Sequence, residues 1–276
     1  DIIEEGQPYL VTDDGERKAT GSYYTPDYIV KYIVENTVGP KVEEEIESLV
    51  TDEEKAQAIL DMQILDPAMG SAHFLVEVID YLATELVDHK EIEIEQAKRE
   101  VARQCVYGVD VNPLATELGK LSIWLKTISE DKPLSFLDHH IKTGNSLIGA
   151  DIHDINRHPE EDEDSERQVT IGEEFGEENA GVVRANVQEM LKKFKEIQQK
   201  QADSPEDIKE QEELYQEFLD FPFRKRFDVL ADVYTSHYFD NDYKVDDYNR
   251  LLQAFKLSEQ KEEGDEEWNK VIKEDW

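Results

Sequence analysis

The sequence contains one cysteine and no long hydrophobic run. Cys105 is the only thiol in 276 residues, so an internal disulfide and a thiolate metal cluster are both excluded. No uninterrupted apolar segment approaches the ~20 residues of a membrane-spanning helix, and the N-terminal residues lack the basic and then apolar pattern of a signal peptide. These absences predict a cytoplasmic protein with no membrane partner, in which Cys105 is a buried structural thiol.

Positive charge is also scarce. The chain has 66 acidic and 30 basic residues and a formal net charge of -36, which disfavours a simple nucleic-acid-binding surface. The acidic residues include clusters at 43–45, 52–54 and 91–95 but are spread along the chain, a distribution typical of solvated helix faces. Either the protein avoids polyanions or it is adapted to a salty cytoplasm, where screening removes self-repulsion. We favour the second, halophilic interpretation.

Changes in composition divide the chain into four parts. Residues 1–20 are polar, and residues 21–157 alternate apolar strand-like and helix-like segments. Residues 158–180 are rich in Glu, Asp, Gly and Ser, which predicts an acidic linker. Residues 181–276 carry apolar residues at helical intervals and predict an appended helical segment.

The part between 21 and 157 predicts an α/β domain. Residues 62–65 and 105–111 are expected to form buried parallel strands on either side of a helix over 72–89. A third strand is expected at 140–143. In the C-terminal part we expect helices at 187–199, 205–219, 227–238 and 248–257.

Two further helices have recognisable start signals. Thr25 is expected to cap a helix that has Pro26 at its first position, and Asn112 is expected to cap another that begins at Pro113. The apolar residues of this second helix predict a broad buried stripe. They are Leu114, Leu118, Leu121, Trp124, Leu125 and Ile128.

Polar or glycine-containing turns follow all three expected strands. Open parallel sheets bind ligands at the edge where the strands end, so residues 66–74, 110–112 and 144–146 are expected to line one site. Gly70 would allow close approach of the backbone to a ligand, and Asp66 would brace the loop or meet a cationic group. Asp110 is placed to accept hydrogen bonds from ribose hydroxyls. The Asn145 amide matches the edge of a base.

Structural explanations exist for the same residues. Asp66 before proline can be a simple turn former, and Asp110 before Asn-Pro can mark a helix start. His73 and Phe74 suit first-turn packing as well as ligand contact. His139 and His140 have no further ligands at suitable spacing, so no metal site is expected.

The same motifs, in the same order, resemble those of adenine-specific DNA methyltransferases. The resemblance is closest to the large enzymes of restriction-modification and phage-exclusion systems, which insert a helical segment before their catalytic motif. It covers residues 20–150, and the stretch 231–239 resembles part of that inserted segment. The motifs are Gly-Ser-Tyr-Tyr-Thr-Pro at 21–26, Asp-Pro-Ala-Met-Gly-Ser-Ala-His-Phe-Leu at 66–75, Tyr-Gly-Val-Asp-Val-Asn-Pro at 107–113 and Thr-Gly-Asn-Ser-Leu-Ile-Gly at 143–149.

The resemblance implies a Rossmann-like domain with S-adenosylmethionine bound across the strand ends. Tyr24, Thr25 and Pro26 would lie near the methionine part of the cofactor together with Asp66, Pro67, Ala68, Gly70, Ser71 and Phe74. Asp110 would hold the ribose, and Asn145 would lie near the adenine. Val111, Ser146 and Leu147 would also belong to the cofactor site. Met69 stands where the family commonly has Cys. Ala72 stands where it has Gly, which adds a methyl group where the backbone would approach the cofactor.

The family's catalytic Asn-Pro-Pro-aromatic motif does not occur in the sequence. We therefore expect the N-terminal portion of a longer DNA adenine methyltransferase, inactive alone, whose DNA contacts and nuclease or specificity partner lie mostly outside it. A methyltransferase for RNA or protein and a non-enzymatic helical docking module are the alternatives. A nicotinamide dehydrogenase is disfavoured because no Gly-x-Gly-x-x-Gly fingerprint follows the first strand.

Overall fold

The computed structural model describes most of the chain in two compact units. These are Asp1–Ser146 and Leu147–Trp276. The first unit is mixed α/β and the second is helical. Tyr24 and the segment 1–20 lie outside the described residues, as does most of the expected acidic linker. The described residues are 25–128, 133, 136–150, 154–156, 158–159, 177–200, 204–241, 243–258 and 264–275.

The first unit contains a small sheet and five described helices. The strands occur where the apolar runs predicted them, each slightly shorter than expected. The elements are α1 Asp27–Ile46, α2 Asp52–Asp61, β1 Ile64–Asp66, α3 His73–Val87, α4 Ile94–Gln104, β2 Val106–Asp110, α5 Pro113–Lys126 and β3 Ile141–Thr143.

All three strands are parallel, in the order β1-β2-β3. Asp66 pairs in register with Gly108, and Asp110 pairs with Thr143. The turns that follow the strands therefore emerge at one edge of the sheet, as predicted. The expected α/β class with a parallel sheet is confirmed for this unit.

Helix α3 forms the centre of the core of the first unit. Its residues Leu75, Ile79 and Leu82 are buried with Val106 of β2. Cys105 also lies in this core, fully buried as expected, and burial raises the pKa of its thiol to about 12. Leu65 of β1 is by contrast 58% exposed, so part of the sheet is open to solvent.

Helix α1 begins one residue later than the sequence suggested. Asp27 is its first residue, Pro26 precedes it, and no side chain caps its N-terminus. The prediction that Thr25 caps this helix was wrong. The cap predicted for α5 is confirmed, because Asn112 Oδ1 accepts a hydrogen bond from the Leu114 backbone N–H at 3.0 Å.

The expected buried stripe of α5 was also wrong. The side of α5 that faces the sheet carries the buried residues Thr116, Gly119 and Ile123. Of the predicted stripe, only Trp124 packs against the core. We call the remaining apolar residues the leucine seam, and each is between 46% and 67% exposed. They are Leu114, Leu118, Leu121, Leu125 and Ile128.

The second unit is helical throughout its described residues, apart from short connecting turns. Four of its helices overlap the predicted ones, and α7 has the predicted bounds. The last helix was not predicted separately. The helices are α6 Glu177–Gln199, α7 Pro205–Leu219, α8 Pro222–Ser236, α9 Val245–Ser258 and α10 Gly264–Asp275.

An aromatic core holds this unit together. Tyr248 and Phe255 of α9 are fully buried, and the Tyr248 hydroxyl donates to the Ile155 carbonyl at 2.6 Å. Phe255 packs near Phe223 of α8 and Trp268 of α10. Among the described helices of the whole chain, none has the length and apolar character required to cross a bilayer.

Candidate functional site

The loop between β1 and α3 is shaped by hydrogen bonds to its own carboxylate. Asp66 Oδ1 accepts from the Ala68 backbone N–H at 3.1 Å. This bond is the bracing role predicted for Asp66. Pro67, Ala68 and Ser71 are exposed along the loop, so a ligand can reach them.

Asp110 at the end of β2 ties this loop to the neighbouring strand end. Its Oδ2 accepts from the Gly70 N–H at 2.9 Å, and its Oδ1 accepts from the Asn112 N–H at 2.8 Å. Each carboxylate oxygen has two lone pairs, so both can accept a further hydrogen bond from a ligand. Asp110 therefore holds the site in shape and can still meet a ligand.

Gly70 and Ala72 both adopt left-handed backbone conformations, with φ of 55° and 64°. A Cβ on Gly70 would meet no atom within 4 Å, so this part of the loop borders open space. Ala72 is fully buried instead, and its Cβ packs toward Gly119 of α5. The methyl group that Ala72 adds to the loop is therefore packed inside the unit. The backbone at Ala72 is strained, because alanine rarely adopts a positive φ.

Two glycines let the elements around the loop approach closely, and neither was predicted to have a role in the site. A Cβ on Gly108 of β2 would overlap the Met69 side chain and lie 2.9 Å from Leu75 Cδ1. A Cβ on Gly119 would lie 3.1 Å from Met69 Cε. A glycine inside an apolar helix or strand often marks a close approach of two elements, and this signal was available in the sequence. The Met69 side chain fills this space.

The start of α1 lies beside the same loop. Asp27 Oδ1 is 3.0 Å from His73 Nε2, so the first turns of α1 and α3 are in contact. Thr25 and Pro26 are brought near the loop through Asp27. Phe74 packs against the core of the unit, which favours a packing role over ligand contact. Tyr24 was predicted to bind the cofactor but lies outside the described residues.

The third strand end adjoins Asp110 through the backbone. The Gly144 N–H donates to the Asp110 carbonyl oxygen at 2.9 Å. Asn145, Ser146 and Leu147 follow, and all are accessible to solvent at least in part. Val111 is exposed after the second strand. The structure therefore places the predicted ribose and adenine residues on adjacent, accessible strand ends.

Negative charge is concentrated at this edge. Burial raises the pKa of the Asp66 carboxyl, and the nearby Asp110 charge raises it further, while the bond from Ala68 acts in the opposite direction. A cationic group placed here would relieve the repulsion between the two carboxylates. Within the described residues, no group of three or more His, Cys, Asp or Glu residues is arranged to hold a metal ion.

Comparison with known families agrees with this arrangement of motifs. The family model for N-6 DNA methylases matches residues 11–157, more than half of the chain. The chain belongs to the N-6 DNA methylase family. A second model, for Eco57I restriction-modification methylases, matches residues 104–231 and so extends into the helical unit. The resemblance to adenine-specific DNA methyltransferases of restriction-modification systems is thereby confirmed.

Individual relatives of this chain are much longer proteins. A Methanocaldococcus jannaschii protein named as a type II restriction enzyme and methyltransferase is 29% identical over 182 residues, 51% of this chain and 15% of that protein. The type II restriction enzyme and methyltransferase RM.Eco57I of Escherichia coli is 31% identical over 152 residues, 46% of this chain and 14% of that protein. An adenine-specific methyltransferase PglX of Streptomyces coelicolor is 22% identical over 58% of this chain and 13% of its own length. The matched segments are thus a small part of each relative.

Proposed function

We propose that the first unit is the S-adenosylmethionine-binding portion of an enzyme that methylates the exocyclic amine of adenine in DNA. The observation that carries the proposal is the position of the Asp110 carboxylate. It joins the glycine-containing loop after β1 to the end of β2 and keeps lone pairs for a ligand. A carboxylate at this point of a parallel sheet suits the two hydroxyls of a ribose.

The surroundings of Asp110 fit the remaining parts of this cofactor. The open space beside Gly70 admits a ligand close to the loop backbone. Asp66 and Asp110 favour the positively charged sulfonium and ammonium groups of S-adenosylmethionine. The accessible Asn145, Ser146 and Leu147 would border the adenine, and Thr25 and Pro26 the methionine part, with Tyr24 before them.

S-adenosylmethionine supplies an electrophilic methyl group, and the residues of this chain bind and orient it. The 276 residues contain no Asn-Pro-Pro-aromatic sequence that would hold the target amine. Positioning of the amine is therefore assigned to a further part of the full-length enzyme. On this proposal the chain binds cofactor but does not methylate DNA alone.

The relatives support a role in restriction-modification. Two of them are named type II restriction enzymes and methyltransferases. We infer DNA as the substrate and a nuclease or specificity region as the partner. The family match supports DNA over RNA or protein as the methyl acceptor, and over a purely structural docking module.

Calorimetric titration of the chain with S-adenosylmethionine and with S-adenosylhomocysteine tests the proposal. The wild-type chain should bind both saturably. Asp110→Ala removes two or more charge-assisted hydrogen bonds and should weaken binding at least about 100-fold. Asp110→Asn keeps one acceptor oxygen and should give an intermediate affinity.

The matched control is Asp61→Asn at the end of α2, which changes a carboxylate away from the strand ends. It should leave the affinity unchanged. Circular dichroism of each variant must show the wild-type helix content. A folded wild-type chain that binds neither ligand, or an Asp110→Ala chain that binds normally, would contradict the proposed site.

We further propose that the negative charge is an adaptation to high salt. The acidic clusters at 43–45 and 52–54 lie on exposed helix surfaces, where like charges repel at low ionic strength. The chain should therefore lose helical circular dichroism progressively as KCl is lowered, and regain it in NaCl at equal ionic strength. An unchanged spectrum in dilute buffer would refute the adaptation.

A further inference from the structure

The leucine seam of α5 has the spacing of a helix-packing surface. Its four members on the helix, Leu114, Leu118, Leu121 and Leu125, are separated by four, three and four residues, and Ile128 follows just after the helix ends. That alternation is the 3.5-residue repeat by which one helix packs along another. The opposite side of α5, at Thr116, Gly119 and Ile123, is already packed within the first unit. The seam is thus a second apolar face of a helix that already has one partner.

Exposure of the leucine seam to water is unfavourable, and a packing partner that buries it would stabilise the protein. Four neighbouring apolar side chains on one helix face, with Ile128 just beyond the helix, are each about half exposed or more and form a patch rather than the scattered single residues that are normal on a protein surface. We propose that, in the full-length protein, a helix from outside residues 1–276 packs along the leucine seam. This proposal rests on the proposed function only in taking the chain as part of a longer methyltransferase.

The length of the relatives favours an occupant from the same polypeptide over a second copy. The relatives extend far beyond the matched segment, which is 12–15% of their length, so suitable chain is available in proteins of this family.

The length of the seam points the same way. Its helical part, from Leu114 to Leu125, spans less than two heptads, and a helix pair of that size is marginal when its two members must associate from solution. A helix in the same chain does not lose the translational and rotational freedom of a separate molecule when it packs, because the tether gives it a high effective concentration. A short seam therefore suffices for packing within one polypeptide.

An engineered thiol reports the exposure of the seam directly. Leu121→Cys places a thiol at the middle of the seam, while the native Cys105 is buried and has a raised pKa, so it reacts slowly. The rate of alkylation at position 121 is measured by peptide mass spectrometry in the 276-residue chain and in the full-length protein. Leu191→Cys, at another exposed leucine on α6, is the matched control.

Position 121 should react at least about tenfold more slowly in the full-length protein than in the chain, because local opening must precede its reaction. The control should change less. Equal rates in both proteins would overturn the proposal. A rate in the chain that falls with chain concentration would assign the seam to a second copy, and a slow rate in the dilute chain would mean that the seam is covered within it; either result also overturns the proposal. The assay needs no cofactor, so a failure of cofactor binding does not affect it.

Discussion

Acidification from pH 7 to pH 5 is expected to lower the folding stability of the chain by about 4 kcal/mol through two buried histidines, about 2 kcal/mol for each. His139 and His140 lie directly before β3 and are nearly inaccessible to solvent. Burial, with repulsion from His140, Lys142 and Arg103, lowers the pKa of His139 to about 2. Burial also lowers the pKa of His140 to about 4, partly offset by a backbone hydrogen bond with Val106.

Stability falls as the pH falls because the unfolded chain binds protons that the folded chain does not. In the unfolded chain a histidine has a pKa of about 6.5, so it takes up a proton as the pH falls below that value. The folded chain does not take it up until a much lower pH. The unfolded state therefore gains the free energy of protonation, and stability is lost from about pH 6.5 downward.

Urea unfolding at pH 7, 6 and 5 measures this loss. His139→Phe keeps an aromatic ring beside Phe136 and removes one titrating group, so it should recover about half of the loss at pH 5. His89→Gln, at a histidine beside Asp52 outside the strand ends, is the control and should recover little. A pH dependence identical in all three chains would show that these histidines are not its cause.

Gly108→Ala is expected to destabilise the first unit by about 1–3 kcal/mol, because it overfills the space between β2 and the cofactor loop. The added Cβ would overlap Met69, lie 2.9 Å from Leu75 Cδ1 and lie 3.2 Å from Ile141 Cδ1. Three packed side chains must then move together. The displaced Met69 belongs to the loop that bears Gly70, so cofactor affinity should fall with stability.

A double-mutant cycle separates overpacking from a general glycine effect. Met69→Cys shortens the neighbouring side chain, so Gly108→Ala should cost at least about 1 kcal/mol less in that background. Gly149→Ala is the matched control, because a Cβ there would meet no atom within 4 Å. Its urea midpoint should be nearly that of the wild type. A Gly108→Ala penalty that is the same in the Met69→Cys variant as in the wild-type chain would contradict the packing explanation.

The local sequence was sufficient to predict much of the fold. Short apolar runs that end at Asp66 and Asp110 identified β1 and β2, and the Pro113 start with its Asn112 cap identified α5. These signals act within a few residues of chain. The same is true of α7, whose Ser204 cap and Pro205 define its start.

Predictions that depended on the surroundings of a residue were less successful. Apolar periodicity in α5 showed which residues are hydrophobic, but it could not show which of two apolar faces meets the sheet. Small residues at Thr116 and Gly119 were the ones that allowed close packing. The left-handed backbone of Ala72, and the burial of its methyl group, were likewise not readable from the sequence.

The candidate site shows the same division. Its motifs and their order were readable, and the structure places Asp66, Gly70 and Asp110 together. The sequence did not reveal that both Asp110 oxygens accept backbone N–H groups. The sequence also did not reveal the contact between Asp27 and His73. The Asp110 hydrogen bonds and this contact both join segments that are brought together only in the folded unit.

The hydrogen bond from Gly70 to Asp110 joins residues that are 40 positions apart. The loop that bears Gly70 is synthesised before its acceptor, so its final shape must wait for β2 to pair with β1. Closing so long a segment is a slow, non-local step compared with the formation of α3. Competence to bind a ligand therefore arises late in the assembly of this unit, and a nascent chain that ends before β2 would carry the whole loop sequence without the contact that shapes it.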